Sequence, residues 1–316
     1  MLWYCLKPQG GHVRKLLFSP SEDITPAARF LEYIFMLEKI AINSAEDIAR
    51  MREIGRKASE LLDFITPYVK PGVTTKRLDD LMLEYTYDVL HCKSACLHYA
   101  PYGMTPYPAA TCISVNHVIC HGIPSEKKKL KDGDIVNIDI TITDGEYFGD
   151  NSRMFMIGKP SIAGKRLSEA TYEAMWKGIE VVKPGNCFND IGIAIRNYCD
   201  PLGLAIVREY GGHGIGREFH GAPHVSHYPL TTPTATFVPG MIFTVEPMIN
   251  AGRRHIMNLN DGWTVVTKDR SLSAQWELEV LVTETGYDIL TVSAGSREAP
   301  EWVKGWKKPD FSAPAA

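Results

Sequence analysis

The tripeptide Lys-Pro-Gly occurs at 70–72 and again at 183–185, and the chain around it repeats as well. At this offset of 113 residues Val69 aligns with Val182, Leu78 with Ile191, Met82 with Ile195 and Tyr85 with Tyr198. Ahead of the first turn, Ile48, Met51, Ile54, Ala58, Leu61, Leu62 and Ile65 recur at helical spacing, so one helix face is buried. Ser44, with Asp47 three residues on, reads as the capping box that starts this helix. Thr74 or Thr75 caps a second helix to about Val89, and a later helix is expected from about Ser168 to the second turn. Each unit is then helix, turn, helix and a strand-rich stretch. A tripeptide can recur by chance, but a tripeptide with aligned apolar positions indicates a duplicated α+β half. Two such halves commonly place a site at their junction.

Composition narrows the class. With 45% hydrophobic and 22% charged residues in 316, the chain matches an ordinary globular protein. It has no run of 18 apolar residues to span a membrane. A formal charge of −3 argues against a dedicated nucleic-acid binder. Seven cysteines, an odd number without C-x-x-C, indicate neither a disulfide framework nor a zinc finger. A reducing, cytoplasmic setting is expected. Residues 1–41 form an N-terminal extension, 42–294 the main domain and 295–316 a flexible tail with three prolines. The extension carries Lys7, Arg14 and Lys15 before its first acids, Glu22 and Asp23, but lacks the apolar core and cleavage site of a secretory signal. It reads as an appended arm, or as an upstream start with Met36 as the alternative beginning; organellar targeting is the weaker reading.

Carboxylates stand where strands are normally free of them. Residues 135–152 read IVNIDITITDGEYFGDNS, two strands around Asp144-Gly145, with Asp139 and Asp150 inside them. If the turn is the two-residue type that Asp-Gly favours, these aspartates face each other directly, with Cβ atoms about 4.5–5.5 Å apart. Two ionised carboxylates at that range repel, and burial among Ile138, Ile140 and Phe148 would raise a pKa or demand a cation. The plain alternative is a different register, or two water-facing aspartates. Glu246 in GMIFTVEPMI and Glu277 in SLSAQWELEVLVTE are equally out of place, with Glu279 on the face of Glu277. His213 lies in the glycine-rich YGGHGIGREFH, seven residues before His220, and glycine lets backbone approach a ligand closely. Singly, each of these has a bland reading as an edge carboxylate or a structural histidine. Together they suit two divalent ions, Mn, Fe or Co and less specifically Zn. Such ions share a bridging water and acidify it into a hydroxide nucleophile. Cations also answer the repulsion, and Asp150 and Glu277 are natural bridges. The chemistry alone reads as a dinuclear metallohydrolase, with peptides and phosphoesters both open as substrates.

The ordered set CHGIP (120–124), NIDITITDGEYFGDNSRMF (137–155), GGHGIGREFH (211–220), FTVEP (243–247) and TKDRSLSAQWE (267–277) resembles the type I methionine aminopeptidase family, over about residues 42–292. The resemblance implies the α+β pita-bread fold, two pseudo-symmetric halves around a central metal site, with 42–294 as catalytic domain. It implies that Asp139 chelates one metal, Asp150 and Glu277 bridge both, and His213 and Glu246 bind the other. His121 and His220 would be non-ligand histidines that position the substrate and stabilise the tetrahedral intermediate, and Glu246 would share in proton transfer. The methionine pocket maps onto Cys96, Tyr99, Tyr102, Cys112, Phe219 and Trp263, a thiol and aromatic slot suited to a thioether. The plain reading of each aromatic is core packing. The 26 residues from His220 to Glu246 are too few for the type II insertion, and the zinc-binding extension of eukaryotic cytosolic type I members is missing. The stretch GMTPYPAAT (103–111) is longer than the usual bacterial loop, and its prolines predict a stiff bulge at the pocket rim.

The activity implied is metal-dependent removal of the initiator methionine from nascent proteins and peptides, with a bridging hydroxide as nucleophile. A small second residue is expected, because the site is enclosed. Two ions per chain are implied, with Co, Mn, Fe and Zn all open. The partners implied are nascent polypeptides, without membrane or dedicated nucleic-acid binding, and a monomer is expected. SEKKKLKD (125–132) reads as a solvated loop, or as a weak ribosome contact. Two rivals stand beside this reading. A proline-specific aminopeptidase or prolidase of the same fold generally carries an additional N-terminal domain and lacks the CHGIP and SAQWE context. A non-catalytic pita-bread binding protein would typically have lost metal ligands, and all five are present here.

Overall fold

The computed structural model describes residues 40–101 and 103–292. The expectations for the arm, for Tyr102 and for the tail lie outside the described residues. The first half runs α1 (Ala45–Ile65), α2 (Thr75–Asp88), β1 (Lys93–Ser94), β2 (Cys112–Val115), β3 (Val118–Cys120), β4 (Ile135–Thr143) and β5 (Phe148–Met156). The second runs α3 (Ile162–Ile179), α4 (Phe188–Cys199), β6 (Ala205–Ile206), β7 (Gly212–Gly214), β8 (Gly221–Val225), β9 (Ile242–Val245) and β10 (Met248–Asn250). It closes with β11 (Ile256–Asn258), β12 (Val265–Thr267), β13 (Ser273–Gln275), β14 (Leu278–Val282) and β15 (Tyr287–Ile289).

The repeated helix pairs are present in both halves. Ser44 and Asp47 form the capping box of α1, the Ser44 N–H donating to Asp47 Oδ2 at 3.0 Å. Thr74 caps α2 through the Arg77 N–H, at 3.1 Å. The α3 helix begins earlier than expected, because Ser161 takes the N-cap and accepts the Gly164 N–H (3.0 Å). Ser168 sits inside that helix, fully buried. At matched positions Leu78, Met82, Ile191 and Ile195 all have 0% exposure, so the duplicated apolar pattern marks one packing solution used twice. One core joins α1 and α2 to the β4 isoleucines, Ile138, Ile140 and Ile142. The other joins Trp176 of α3 and Ile191 of α4 to Phe243, Trp276 and Val280.

The β4–β5 hairpin corrects one expectation. Its turn is not the two-residue type: Thr143 pairs with Phe148, leaving Asp144 to Tyr147 as a four-residue loop. Asp144 Oδ1 accepts the N–H groups of Glu146 and Tyr147, each at 2.9 Å, and closes the loop from within. Tyr147 is buried, with its hydroxyl on Asp47 Oδ1 at 2.6 Å, so a contact with α1 lengthens the turn. The register therefore shifts by two residues. Asp139 faces Ser152 and Asp150 faces Thr141, which makes the two aspartates diagonal neighbours on one face. Strand alternation separates the jobs of that hairpin. Even positions of β4 enter the helix core, while Asn137, Asp139 and Thr141 point the other way. On the helix side of β5, Arg153 reaches Asp63 of α1 at 3.0 Å.

At Gly149, next to Asp150, the strand lies against helix backbone: a Cβ there would fall 2.7 Å from the Ile54 carbonyl oxygen. Gly149→Val should therefore destabilise the fold by about 1–3 kcal/mol or more, as overpacking does. An unchanged urea midpoint would show that α1 and β5 do not meet this closely.

Candidate metal centre and pocket

A single isolated bridge joins the halves at the site. The Glu277 N–H donates to the Ser152 carbonyl at 3.3 Å, so Cys112, Asp139, Ser152 and Glu277 form one cross-strand row. One step beyond the Leu278–Val245 pair, Glu246 leaves β9 at the level of Glu277. From β7 comes His213, its N–H donated to Thr244 Oγ1 at 3.0 Å. Ligand-type atoms of Asp150, His213 and Glu277 all lie within 4.8 Å of one another. His213 Nε2 is 3.6 Å from Asp150 Oδ2 and 3.7 Å from Glu246 Oε1. Asp139, two strand positions from Thr141, is half-buried and lies outside that tight trio, near enough for the Asp150 and Glu246 charges to act on it. The glycines beside His213 serve packing between strands. A Cβ on Gly212 would fall 2.2 Å from the Thr244 carbonyl, and one on Gly214 would fall 1.9 Å from that of Ala222.

Sequence reasoning missed the side chains that aim this group. Thr141 Oγ1 donates to Asp150 Oδ1 (3.0 Å), and Glu279 Oε1 accepts the Asp150 N–H (2.7 Å). Thr244 Oγ1 donates to Glu246 Oε1 (2.8 Å), Gln275 Nε2 to Glu246 Oε2 (3.3 Å), and His227 Nε2 accepts the Glu246 N–H (3.1 Å). Both threonines stand two residues from an expected ligand, on the same strand face as that ligand. That spacing is the one signal the sequence offered.

Electrostatics decide what the group can hold. Burial, then the Asp150 charge, pushes Asp139 and Glu277 well above the ordinary carboxylate range. Glu246 rises to about 7, burial first and Asp150 adding to it against the pull of His213. Burial alone would lower His213, yet the carboxylates of Asp150 and Glu246 outweigh it and raise its pKa. One imidazole cannot neutralise four carboxylates converging in a buried space. Divalent cations would do so. Oxygen donors with a single imidazole and no thiolate fit ions such as Mn, Fe or Co.

Next to this centre lies a small apolar cluster. Cys96, Tyr107, Ala109, Cys112 and Trp263 are buried together, with Tyr99, Ile123 and Phe219 packed against them. Five of the six expected pocket residues are thus brought into one place, and Tyr107 joins them. Its N–H donates to the Tyr99 carbonyl (2.9 Å) and its carbonyl accepts the His98 N–H (2.8 Å), so the chain comes back to His98 and Tyr99 at Tyr107. The ring meets Trp263 edge-on at 5.2 Å, and the hydroxyl donates to the Gly122 carbonyl at 3.1 Å. The Pro-Tyr-Pro setting just ahead of Cys112 was the available clue. Asp79 of α2 fixes the approach to Cys112 by accepting the N–H groups of Ala110 and Thr111, each at 3.0 Å.

Of the two expected non-ligand histidines, His220 lies between the two features and His121 borders the apolar cluster. His220 Nδ1 is 2.8 Å from the Tyr99 hydroxyl, and its ring lies 4.4 Å from that of His213. His121 follows β3 in the left-handed region (φ 55°), strained backbone that places its ring edge-on to Tyr210 (5.4 Å) and Trp263 (6.1 Å). Burial lowers His121 to about 4. The enclosing protein, then His213 and His121, holds His220 well below the usual histidine range. Both shifts favour the neutral imidazole.

Two α+β halves around a carboxylate-rich centre with one imidazole define a class, the pita-bread metallopeptidases. Residues 49–284 match Metallopeptidase family M24, and the chain belongs to that family. Within it the likeness is to the methionine aminopeptidases, in keeping with the type I spacing. The chain is 52% identical to the methionine aminopeptidase of Salmonella typhimurium, over 80% of this chain and 94% of that one. The crystal structure of the Rickettsia prowazekii methionine aminopeptidase superposes with a TM-score of 0.76 at 47% identity, covering 80% of this chain and 100% of that chain. A prolidase from Pyrococcus furiosus shares the fold, with a TM-score of 0.60 at 22% identity, over 82% of this chain and 67% of its own.

Thr244 ties two expected ligands, through the His213 N–H and the Glu246 carboxylate. Thr244→Val should weaken divalent-ion binding about 10- to 100-fold, the usual cost of losing a hydrogen bond that orients a ligand. Calorimetric titration with Mn that showed wild-type affinity would contradict this.

Proposed function

We propose that the chain removes N-terminal methionine from peptides and nascent proteins by metal-dependent hydrolysis of the first peptide bond, preferring a small second residue. The observation that carries this reading is adjacency. Cys112 of the pocket pairs with Asp139 across β2 and β4, and Tyr99 of the pocket holds His220 beside His213. In this reading residues 42–294 are the catalytic domain, flanked by an extension and a tail.

Asp139, Asp150, His213, Glu246 and Glu277 would hold two divalent ions. Such ions, when bound, acidify water at neutral pH and polarise the scissile carbonyl. The remaining work falls to the chain. Cys96 and Cys112 offer soft thiols to a thioether, and Tyr99, Phe219 and Trp263 pack on its flexible stem. Tyr107 braces Trp263 from the side. In the tautomer in which Nδ1 accepts the Tyr99 hydroxyl, His220 carries its proton on Nε2 and donates to the carbonyl oxygen as charge develops there. His121, also neutral, hydrogen-bonds the substrate without adding a charge to the site. Glu246, gripped at one oxygen by Thr244 and at the other by Gln275, takes a proton from water and returns it to the departing amine. Enclosure by the surrounding rings leaves little room beyond the scissile bond, hence the small second residue.

The test is cleavage of a Met-Ala-Ser peptide after chelation and titration with Mn, Fe, Co and Zn. Activity should vanish on chelation and return with at least one ion. A bulky second residue, or an Xaa-Pro peptide, should be cleaved about tenfold more slowly or worse. Equal rates on Ala and on a bulky residue, or undiminished activity in Asp139→Ala, would overturn the reading.

A further inference from the structure

His213 and His220 share one short stretch, yet they are held by different means. Strand pairing on both sides and the Thr244 hydroxyl fix His213. Ile215 still reaches the Ile242 carbonyl, at 3.2 Å. Residues 216–219 belong to no strand, and the hairpin tip of the other half holds them. The Phe148 N–H donates to the Gly216 carbonyl at 3.0 Å, and the Phe148 ring stacks on Phe219 at 5.6 Å and 9°. Arg217 spans the rest of the gap. Its Nη2 and Nε donate to Asp47 Oδ1, at 3.0 and 3.2 Å, and its Nη1 donates to Glu146. Its guanidinium lies 4.6 Å from the centre of the Tyr147 ring. Tyr147 in turn donates to the same Asp47 oxygen, and Asp47 closes the capping box of α1. Phe219 passes this restraint on, stacked on the His220 ring at 3.9 Å.

We infer that Arg217 is a positioning residue, forming with Asp47, Glu146 and Tyr147 a clamp between the halves that sets Phe219 and His220 against the pocket. The inference rests on the role given above to His220. An isolated exposed ion pair is worth about 1 kcal/mol or less. Here one planar fork serves two carboxylates and an aromatic face at once, which a lysine cannot do. Asp47 and Tyr147 are already fixed, by the helix cap and by burial, so little further side-chain freedom is lost. The segment they hold has no strand pairing of its own between β7 and β8, and a displacement of about 1 Å at a reacting group is enough to slow catalysis greatly. The four-residue turn, which displaced the expected hairpin register, is what supplies Glu146 and Tyr147 to the clamp.

A double-mutant cycle on the metal-loaded full chain tests this with a Met-Ala-Ser peptide. Arg217→Ala should lower kcat/KM about tenfold, Arg217→Lys should recover part of the loss, and both should bind Mn as wild type does. In a His220→Ala background, Arg217→Ala should cost less than about twofold, because the two act through one ring. An equal loss in both backgrounds, no loss in the wild-type background, or weakened Mn binding in Arg217→Ala overturns the clamp. His220→Ala with wild-type kcat/KM overturns the reading beneath it, and the clamp with it.

Discussion

The repulsion among carboxylates at the centre organises the rest of the molecule. Asp139 and Asp150 lie on β4 and β5, Glu246 just past β9 and Glu277 just ahead of β14, and burial with mutual charge opposes the ionisation of Asp139, Glu246 and Glu277. Such a group persists only where the backbone over-determines it and a cation completes it. The over-determination is visible in the ladder. A continuous row from Cys112 through Asp139 and Ser152 to Glu277 crosses from one half of the fold to the other. The helix pairs load each half with its own core, and the strands between them keep their second faces for the site.

Pocket and centre are two uses of the same strands. Asp139 is an expected ligand of the cage, while its cross-strand neighbour Cys112 belongs to the apolar cluster. Thr141 holds Asp150, and the Cys96 thiol reaches Thr141 in turn, at 3.6 Å. The expected pocket and the expected metal ligands are therefore joined through one threonine. The hairpin tip adds a tie between the halves at the outer edge, where the segment carrying Phe219 and His220 leaves its strand.

Local features were legible in the sequence, and features set by distant contacts were not. The repeat and the caps at Ser44 and Thr74 could be read because periodicity and capping are local. The five carboxylate and histidine positions stood out because charge is abnormal inside strands. The hairpin register was not legible, since Tyr147 binds Asp47, 100 residues away, and that contact decides the loop length. Thr141, Thr244 and Gln275 are ordinary strand residues until their neighbours are known. Tyr107 was not legible as a member of the cluster, because only the return of the chain to Tyr99 brings it there. The start of α3 lies at Ser161 rather than near Ser168, because the Ser161 side chain caps it and Ser168 is buried inside the helix.

The central claim is that these five side chains form one cage for a pair of divalent ions. Anomalous diffraction from crystals grown with Mn tests it most directly. The account predicts two peaks at the junction of the halves, both contacting Asp150 and Glu277, one also touching Asp139 and the other His213 and Glu246. A single peak at full occupancy, or peaks away from these residues, would contradict it.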